Sequence, residues 1–223
     1  ITHALAGGGS ERVLTLLANY FATRGYNVTI LSRVHHTNHY FVSKDVNIIY
    51  LETKHHLSFI VKARKYIKQV KASNVISFEY FYNMCASIAC WGLGVNLIVS
   101  ERNDPKRVGG SMPKKQIRNF LYRFVDSLIC QTDDAKKFFP DYIQKKSAVI
   151  LNPLSDKIPD AFTGERTHMI VNFCRLNKQK NIPLLIDSFE EFISTHDDYK
   201  LCIYGDGPEK DSIERLILRK GLS

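Results

Sequence analysis

The strongest constraint on this chain is a regular alternation of short apolar runs with stretches of helical period. Val28-Thr29-Ile30-Leu31 is strand-like, and so are residues 46–51, 75–78, 95–100, 127–130 and 148–151. Between them the apolar spacing changes from continuous runs to one face of a helix. The first helix is expected after Gly7-Gly8-Gly9, with Ser10 as its cap. Val13, Leu14, Leu17 and Phe21 line one side, and Gly25 is the stop. Further helices are expected over 57–71, 83–91, 113–124 and 133–139, with a loop holding Pro105 and Gly109-Gly110 before the basic one. Strands that alternate with helices build a mainly parallel sheet covered on both faces, which is an α/β fold.

The pattern pauses at 154–167, a polar stretch with Pro159 and Gly164 that reads as a linker. It then restarts with a strand at 168–174, a helix at 181–195, a strand at 200–204 and a helix at 209–220 closed by Gly221. The expected organisation is a first domain over 1–153, a linker over 154–167 and the start of a second domain over 168–223. Parallel α/β sheets bind ligands beyond the carboxyl ends of their strands. Residues that directly follow a strand therefore carry the most functional weight.

Composition narrows the class. Lys and Arg number 31 against 22 Asp and Glu, a formal charge of +9, which favours anionic partners without choosing among them. The five cysteines, Cys85, Cys90, Cys130, Cys174 and Cys202, are scattered and form no CxxC pair. They read as reduced core thiols of a cytosolic protein. The start lacks a basic segment followed by a long apolar core, so no signal peptide is expected. The most apolar stretch, 75–100, is interrupted by Glu79, Asn83, Gly92, Gly94 and Asn96. A membrane span needs roughly 20 predominantly apolar residues, and this stretch reads instead as strand, helix and strand. The histidines form no HExxH, and no metal site is expected.

Four strand-following loops are candidate sites. Gly7-Gly8-Gly9-Ser10-Glu11-Arg12 would let a ligand approach the backbone at a helix N-terminus, or would serve only as a tight connection. It fits neither the Walker spacing nor GxGxxG, and Ser32-Arg33 stands where a nicotinamide-binding protein carries an acid. Ser100-Glu101-Arg102-Asn103-Asp104-Pro105 is more polar than a turn requires, or is a solvated loop with an internal Glu–Arg pair. Arg175 and Lys180 bracket a loop before a helix, where two cations suit a diphosphate, or the loop is a charged connector without function. Gly205-Asp206-Gly207 permits a backbone path that leaves room for a ligand, or is a plain turn. Lys62, Lys65, Lys68 and Lys71, and then Lys114, Lys115, Arg118 and Arg123, give two helices a basic face. That face is either solvated or set against anionic lipid headgroups. The nearby aromatics Phe59, Tyr66, Phe120 and Tyr122 fall at core-like spacing, and no nucleic-acid-binding motif is present.

Taken in order, these segments resemble the retaining glycosyltransferases of the GT-B fold, in particular glycosyltransferase family 4. The matching text is GGGSERVLTLLANYFATRGYNVTILS, VSERNDP, VILNPL, FCRLNKQKNIPLLIDSF and YGDGPEKDSIERLI. The resemblance implies two Rossmann-like domains and transfer of a sugar from a nucleoside diphosphate to a glycan or polyprenyl-linked acceptor. It implies no metal or other cofactor, no nucleic-acid partner, and a cytoplasmic protein that could rest on the inner face of the plasma membrane. By position, Gly8 and Gly9 match the loop that approaches the donor diphosphate. Arg175 and Lys180 match the cations that hold and stabilise it as it leaves. Gly205 and Gly207 match the loop near the nucleotide, and Glu101, Arg102 and Asn103 match the edge of the acceptor site. Three departures stand out. Only Ile1-Thr2 remains of the family's first strand, and Cys174 replaces a glycine before the arginine. The family's second domain also carries a pair of glutamates at a fixed spacing that no two glutamates here share. The resemblance thus implies a chain truncated at both ends, with an incomplete second domain and no activity by itself.

Overall fold

The computed structural model describes residues 1–36, 40–106, 108, 111–154 and 159–222. The chain divides into two compact units, Ile1–Asp156 and Lys157–Ser223. Gly109 and Gly110, and positions 155–158 of the expected linker, lie outside the described residues.

In the first unit the elements run α1 (Gly9–Thr23), β1 (Val28–Ser32), β2 (Val46–Tyr50), α2 (His56–Gln69), β3 (Asn74–Phe78), α3 (Tyr80–Cys90), β4 (Asn96–Ser100), α4 (Met112–Leu121), β5 (Ser127–Cys130), α5 (Asp133–Lys137), α6 (Asp141–Gln144) and β6 (Ser147–Val149). All pairings are parallel, in two groups, β1-β2 and β3-β4-β5-β6. Ile1 and Thr2 join the groups. The Thr2 amide donates to Leu31 O at 3.1 Å, and the Phe78 amide donates to Ile1 O at 3.1 Å. These two residues occupy the slot between β1 and β3, so the order across the unit is β2-β1-(1–2)-β3-β4-β5-β6. That is the doubly wound arrangement in which strand order reverses next to the first strand.

Side-chain alternation separates two cores, one on each face of this sheet. Leu31, Val75, Val99 and Leu128 pack with Phe59, Ala63 and Ile67 of α2 and with Cys85, Ala86 and Ala89 of α3. Ile30, Val46 and Phe78 pack with Val13, Leu14 and Ala18 of α1. Cys85, Cys90 and Cys130 are buried and free. Burial raises the first two thiols to about 11 and the third to about 12.

Several local expectations are corrected. Ser10 does not cap α1. Gly8 holds the N-cap position, and the Ser10 hydroxyl is turned to Glu11 and Glu79 instead. Helix α3 starts at Tyr80 because Glu79, at φ 74°, turns the chain straight out of β3. Helix α4 stops at Leu121 and continues as a 3-10 turn, Tyr122–Phe124. Arg118 is not part of a basic surface but 0% exposed, and Phe120 is not core but 50% exposed.

The second unit holds β7 (Met169–Phe173), α7 (Ile182–Ile193), β8 (Lys200–Tyr204) and α8 (Lys210–Arg219), with β7 and β8 parallel. Leu176, Ile182, Ile186 and Ile213 form its buried centre.

Candidate functional site

Parallel strands deliver their carboxyl ends to one edge of the first sheet, and a polar cluster collects there. Its members follow the strands directly: His3 after residues 1–2, Arg33 after β1, Glu79 after β3, Glu101 and Arg102 after β4, and Gln131 after β5. Asn152 stands three residues beyond β6. Ser10 Oγ lies 2.9 Å from Glu11 Oε2 and 3.1 Å from Glu79 Oε1, so a single hydroxyl proton serves two carboxylates. Burial raises the Glu79 pKa, and the Ser10 hydrogen bond only partly opposes it. His3 Nδ1 is 2.7 Å from the Tyr82 hydroxyl. Burial and then the nearby Arg33 guanidinium lower the His3 pKa. Arg33 is itself fixed by donating to the carbonyls of Thr53 and Lys54, at 3.1 and 2.8 Å.

The glycine loop is more selective than its sequence suggests. A Cβ on Gly8 would come within 2.3 Å of Glu11 Oε2, whereas Gly7 and Gly9 face open space. An anion approaching Gly8 would meet that carboxylate, so the free approach to the backbone is at Gly7 and Gly9.

The 101–103 segment splits into parts with different work. Glu101 is 2% exposed and turned inward, where Oε1 accepts from the Tyr122 hydroxyl at 2.5 Å. It therefore anchors the segment rather than offering a surface carboxylate. Arg102 donates through Nη2 to Asn152 Oδ1, which also accepts from Gln131 at 2.6 Å, and its guanidinium lies over the Phe78 ring. Asn103 is exposed. Burial raises the Glu101 pKa, while the Tyr122 hydrogen bond and Arg118 oppose the shift. A folded pKa above the unfolded one favours the protonated native state. Its contribution to stability is full below the ordinary carboxylate range and is lost as pH rises through the folded pKa. Glu101→Gln should therefore flatten the decline in urea midpoints measured from mildly acidic to neutral pH.

In the second unit, Arg175 follows β7 and Lys180 ends a 3-10 turn, Lys178–Lys180, just before α7. Both are exposed, and among the described residues neither side chain has a hydrogen bond or ion pair. The loop 205–207 holds this segment in place. The Leu176 amide donates to Asp206 O at 2.8 Å, and the Glu209 amide donates to Leu176 O at 3.0 Å. A Cβ on Gly205 would lie 1.9 Å from Cys174 O, and one on Gly207 would lie 2.3 Å from Leu176 O. The space that these glycines leave is thus filled by the backbone of 174–176 and is not left open for a ligand.

Sequence reasoning singled out Glu101 but not its partners Tyr122 and Arg118, nor Glu79, His3, Arg33 and Asn152. Glu79 and Arg33 carried a usable signal, since each directly follows a strand. The partners of Glu101 come from α4 and the turn after it and had no such signal.

A parallel sheet with polar strand ends, followed by a second βαβα unit in which Arg175 and Lys180 are unengaged among the described residues, fits an α/β protein of GT-B type. Solved structures agree on the fold. Anabaena Alr3699/HepE, determined in complex with UDP and glucose, aligns with TM-score 0.76 at 15% identity, over 100% of this chain and 67% of its own. Residues 7–156 match the model of Glycosyltransferase Family 4, and residues 156–223 match Glycosyl transferases group 1. The chain belongs to glycosyltransferase family 4. A relative in Campylobacter jejuni, GalNAc-alpha-(1->4)-GalNAc-alpha-(1->3)-diNAcBac-PP-undecaprenol alpha-1,4-N-acetyl-D-galactosaminyltransferase, is 26% identical over 100% of this chain and 65% of its own length. An uncharacterized glycosyltransferase of Haemophilus influenzae is 20% identical over 95% of this chain and 62% of its own. The chain thus spans slightly less than two thirds of the length of these two relatives.

Proposed function

We propose that the protein containing this chain is a retaining glycosyltransferase. It moves a sugar from a nucleoside diphosphate, with UDP as the first candidate, to a glycan or polyprenyl-linked acceptor. One observation carries the reading. Arg175 and Lys180 are exposed and unengaged among the described residues, on a segment whose backbone is hydrogen-bonded to the 205–209 loop. Breaking a sugar–phosphate bond builds negative charge on the leaving diphosphate, and preorganised cations stabilise that charge without reorganisation. Arg175 suits a bidentate grip on phosphate and Lys180 a point charge, so the reaction is proposed to need no metal. Gly7 and Gly9 offer open backbone for the donor beside Gly8, and Arg102 and Asn103 offer polar groups for the acceptor. UDP is favoured because the HepE structure holds UDP and glucose. A lipid-linked acceptor is favoured because the Campylobacter relative is named for one. Such an acceptor lies in a bilayer, so a cytoplasmic protein resting on the inner membrane face belongs to the same proposal.

Arg175→Ala and Lys180→Ala in the longer protein should each cut turnover by roughly a hundredfold or more, a loss typical of removing one transition-state donor. Arg175→Lys should restore part of it. Donor turnover measured by UDP release checks both, and unchanged rates would remove the two residues from the mechanism. The 223-residue chain is expected to show no turnover in the same assay.

A further inference from the structure

Helices α2, α3 and α4 pack side by side, α2 on α3 and α3 on α4, as one layer over the sheet. None of the three contains an Asp or a Glu, and together they carry Lys62, Arg64, Lys65, Lys68, Lys114, Lys115 and Arg118. The charge excess of the whole chain sits in this unit. The first 156 residues hold 21 Lys and Arg against 11 Asp and Glu, whereas the remaining 67 hold 10 against 11.

The outer side of α3 is apolar throughout: its exposed residues are Phe81 and Ile88, with Met84 half-buried between them. Trp91 continues that ridge at 53% exposure. On the neighbouring helix Ile117 is 55% exposed, and beside it stand Phe120 and Phe124. Trp91 stacks on Phe124 with ring centroids 4.8 Å apart, and Phe120 meets Phe124 edge-on at 5.5 Å, so the two ridges form one surface. A shallow apolar groove between them is lined by Tyr80, Phe81, Met84 and Ile117, with Lys114 at its side. Arg64 donates to the Trp91 carbonyl at 2.6 Å, and Arg123 adjoins Phe124, so cations border the apolar surface. Isolated exposed hydrophobes are ordinary, but a contiguous aromatic patch is not.

We infer that the α3–α4 face is a docking surface for an anionic bilayer. Phe81, Ile88, Trp91, Ile117, Phe120 and Phe124 enter the interface, while Arg64, Lys114 and Arg123 meet lipid phosphates. Aromatic side chains favour the headgroup boundary, and three helices that carry basic residues and no Asp or Glu match a negatively charged leaflet, with exposed Asp126 as an acid two residues beyond Phe124. A second protein copy would bring this net-positive face against itself, which charge opposes. The inference names the face that a membrane-resting transferase would use. It is tested without donor or acceptor, so it and the transfer reaction fail independently.

Trp91 is the only tryptophan in the chain, so its emission reports on this face directly. Vesicles of phosphatidylcholine mixed with phosphatidylglycerol should bind the chain and shift Trp91 emission to the blue. Lipids brominated along the acyl chain should quench it. The double variant Ile117→Ser, Phe120→Ser should weaken vesicle binding by roughly tenfold or more, since both hydrophobic area and aromatic anchoring are lost. Lys114→Glu, at an exposed position, should weaken it in the same direction. Tyr20→Ser, on α1 at the opposite face of the sheet, should leave it unchanged. Three results would each overturn the inference: no binding to anionic vesicles, binding without a change at Trp91, or a blue shift that tracks protein concentration in the absence of lipid.

Discussion

Gly205→Ala is expected to cost the second unit about 3–5 kcal/mol, enough to abolish native hydrogen-exchange protection in β7 and β8. Gly205 sits at φ 151°, where a side chain is strained whatever the space around it. The added methyl would also lie 1.9 Å from the carbonyl oxygen of Cys174. That oxygen cannot retreat without breaking its own strand end, where the Cys174 amide donates to Tyr204 O at 3.1 Å. Gly207 repeats the constraint against Leu176 O. The centre that would have to absorb this cost has only four buried apolar residues. Gly221→Ala is the matched control. Its φ of 66° is also positive, but open space surrounds it, so only the left-handed penalty of about 1 kcal/mol applies. Native protection of β7 and β8 in Gly205→Ala would mean that the two loops are not locked together. The Arg175 backbone lies inside the contact at risk, so the same substitution should also weaken donor binding in the longer protein.

The order of strands and helices was legible because hydrophobic period is a local property and parallel βα units repeat it. Every expected strand is present within one or two residues. The two-residue remnant at the amino end was also readable as part of a strand. Its place between β1 and β3 was not, because that depends on hydrogen bonds to residues 31 and 78. The candidate loops were legible as strand-end polar segments, but what each residue does there depended on tertiary contacts. Glu101 and Arg118 look like surface charges in the sequence and are among the most buried side chains. Gly205 and Gly207 look like room for a ligand and instead meet backbone. Phe120 looks like core because its spacing fits a helix face, but α4 turns that face outward and buries Arg118 and Leu121 in its place.

Arg118→Ala is the second large effect, a loss of about 3–5 kcal/mol of first-unit stability, the range for truncating a large, fully buried side chain packed among rings. The Arg118 side chain is fully buried, with its guanidinium 4.7 Å from the Phe139 ring centroid, 5.3 Å from Phe138 and 5.6 Å from Tyr80. Its only hydrogen-bond partner among the described residues is Asn119 Oδ1, reached by Nε and Nη2 at 3.2 and 3.1 Å, and Nη1 has none. Arg118 opposes part of the burial-driven rise in the Glu101 pKa, and the second oxygen of Glu101 is also buried without a partner. Removing Arg118 leaves Glu101 buried with only the Tyr122 hydrogen bond to oppose its desolvation. Arg118→Lys should recover little, since an ammonium does not stack on three rings as a planar guanidinium does. A double-mutant cycle with Glu101→Gln separates the two contributions. If the stranded carboxylate carries the cost, the double variant will be more stable than the sum of the singles. If the ring contacts carry it, the two losses will add. Urea midpoints followed by Trp91 fluorescence give the numbers, and a loss below about 1 kcal/mol for Arg118→Ala would place it with ordinary surface substitutions. The Arg102–Asn152 contact follows Glu101 directly in the chain, so a large loss would also make Arg118 part of what anchors residues 101–103.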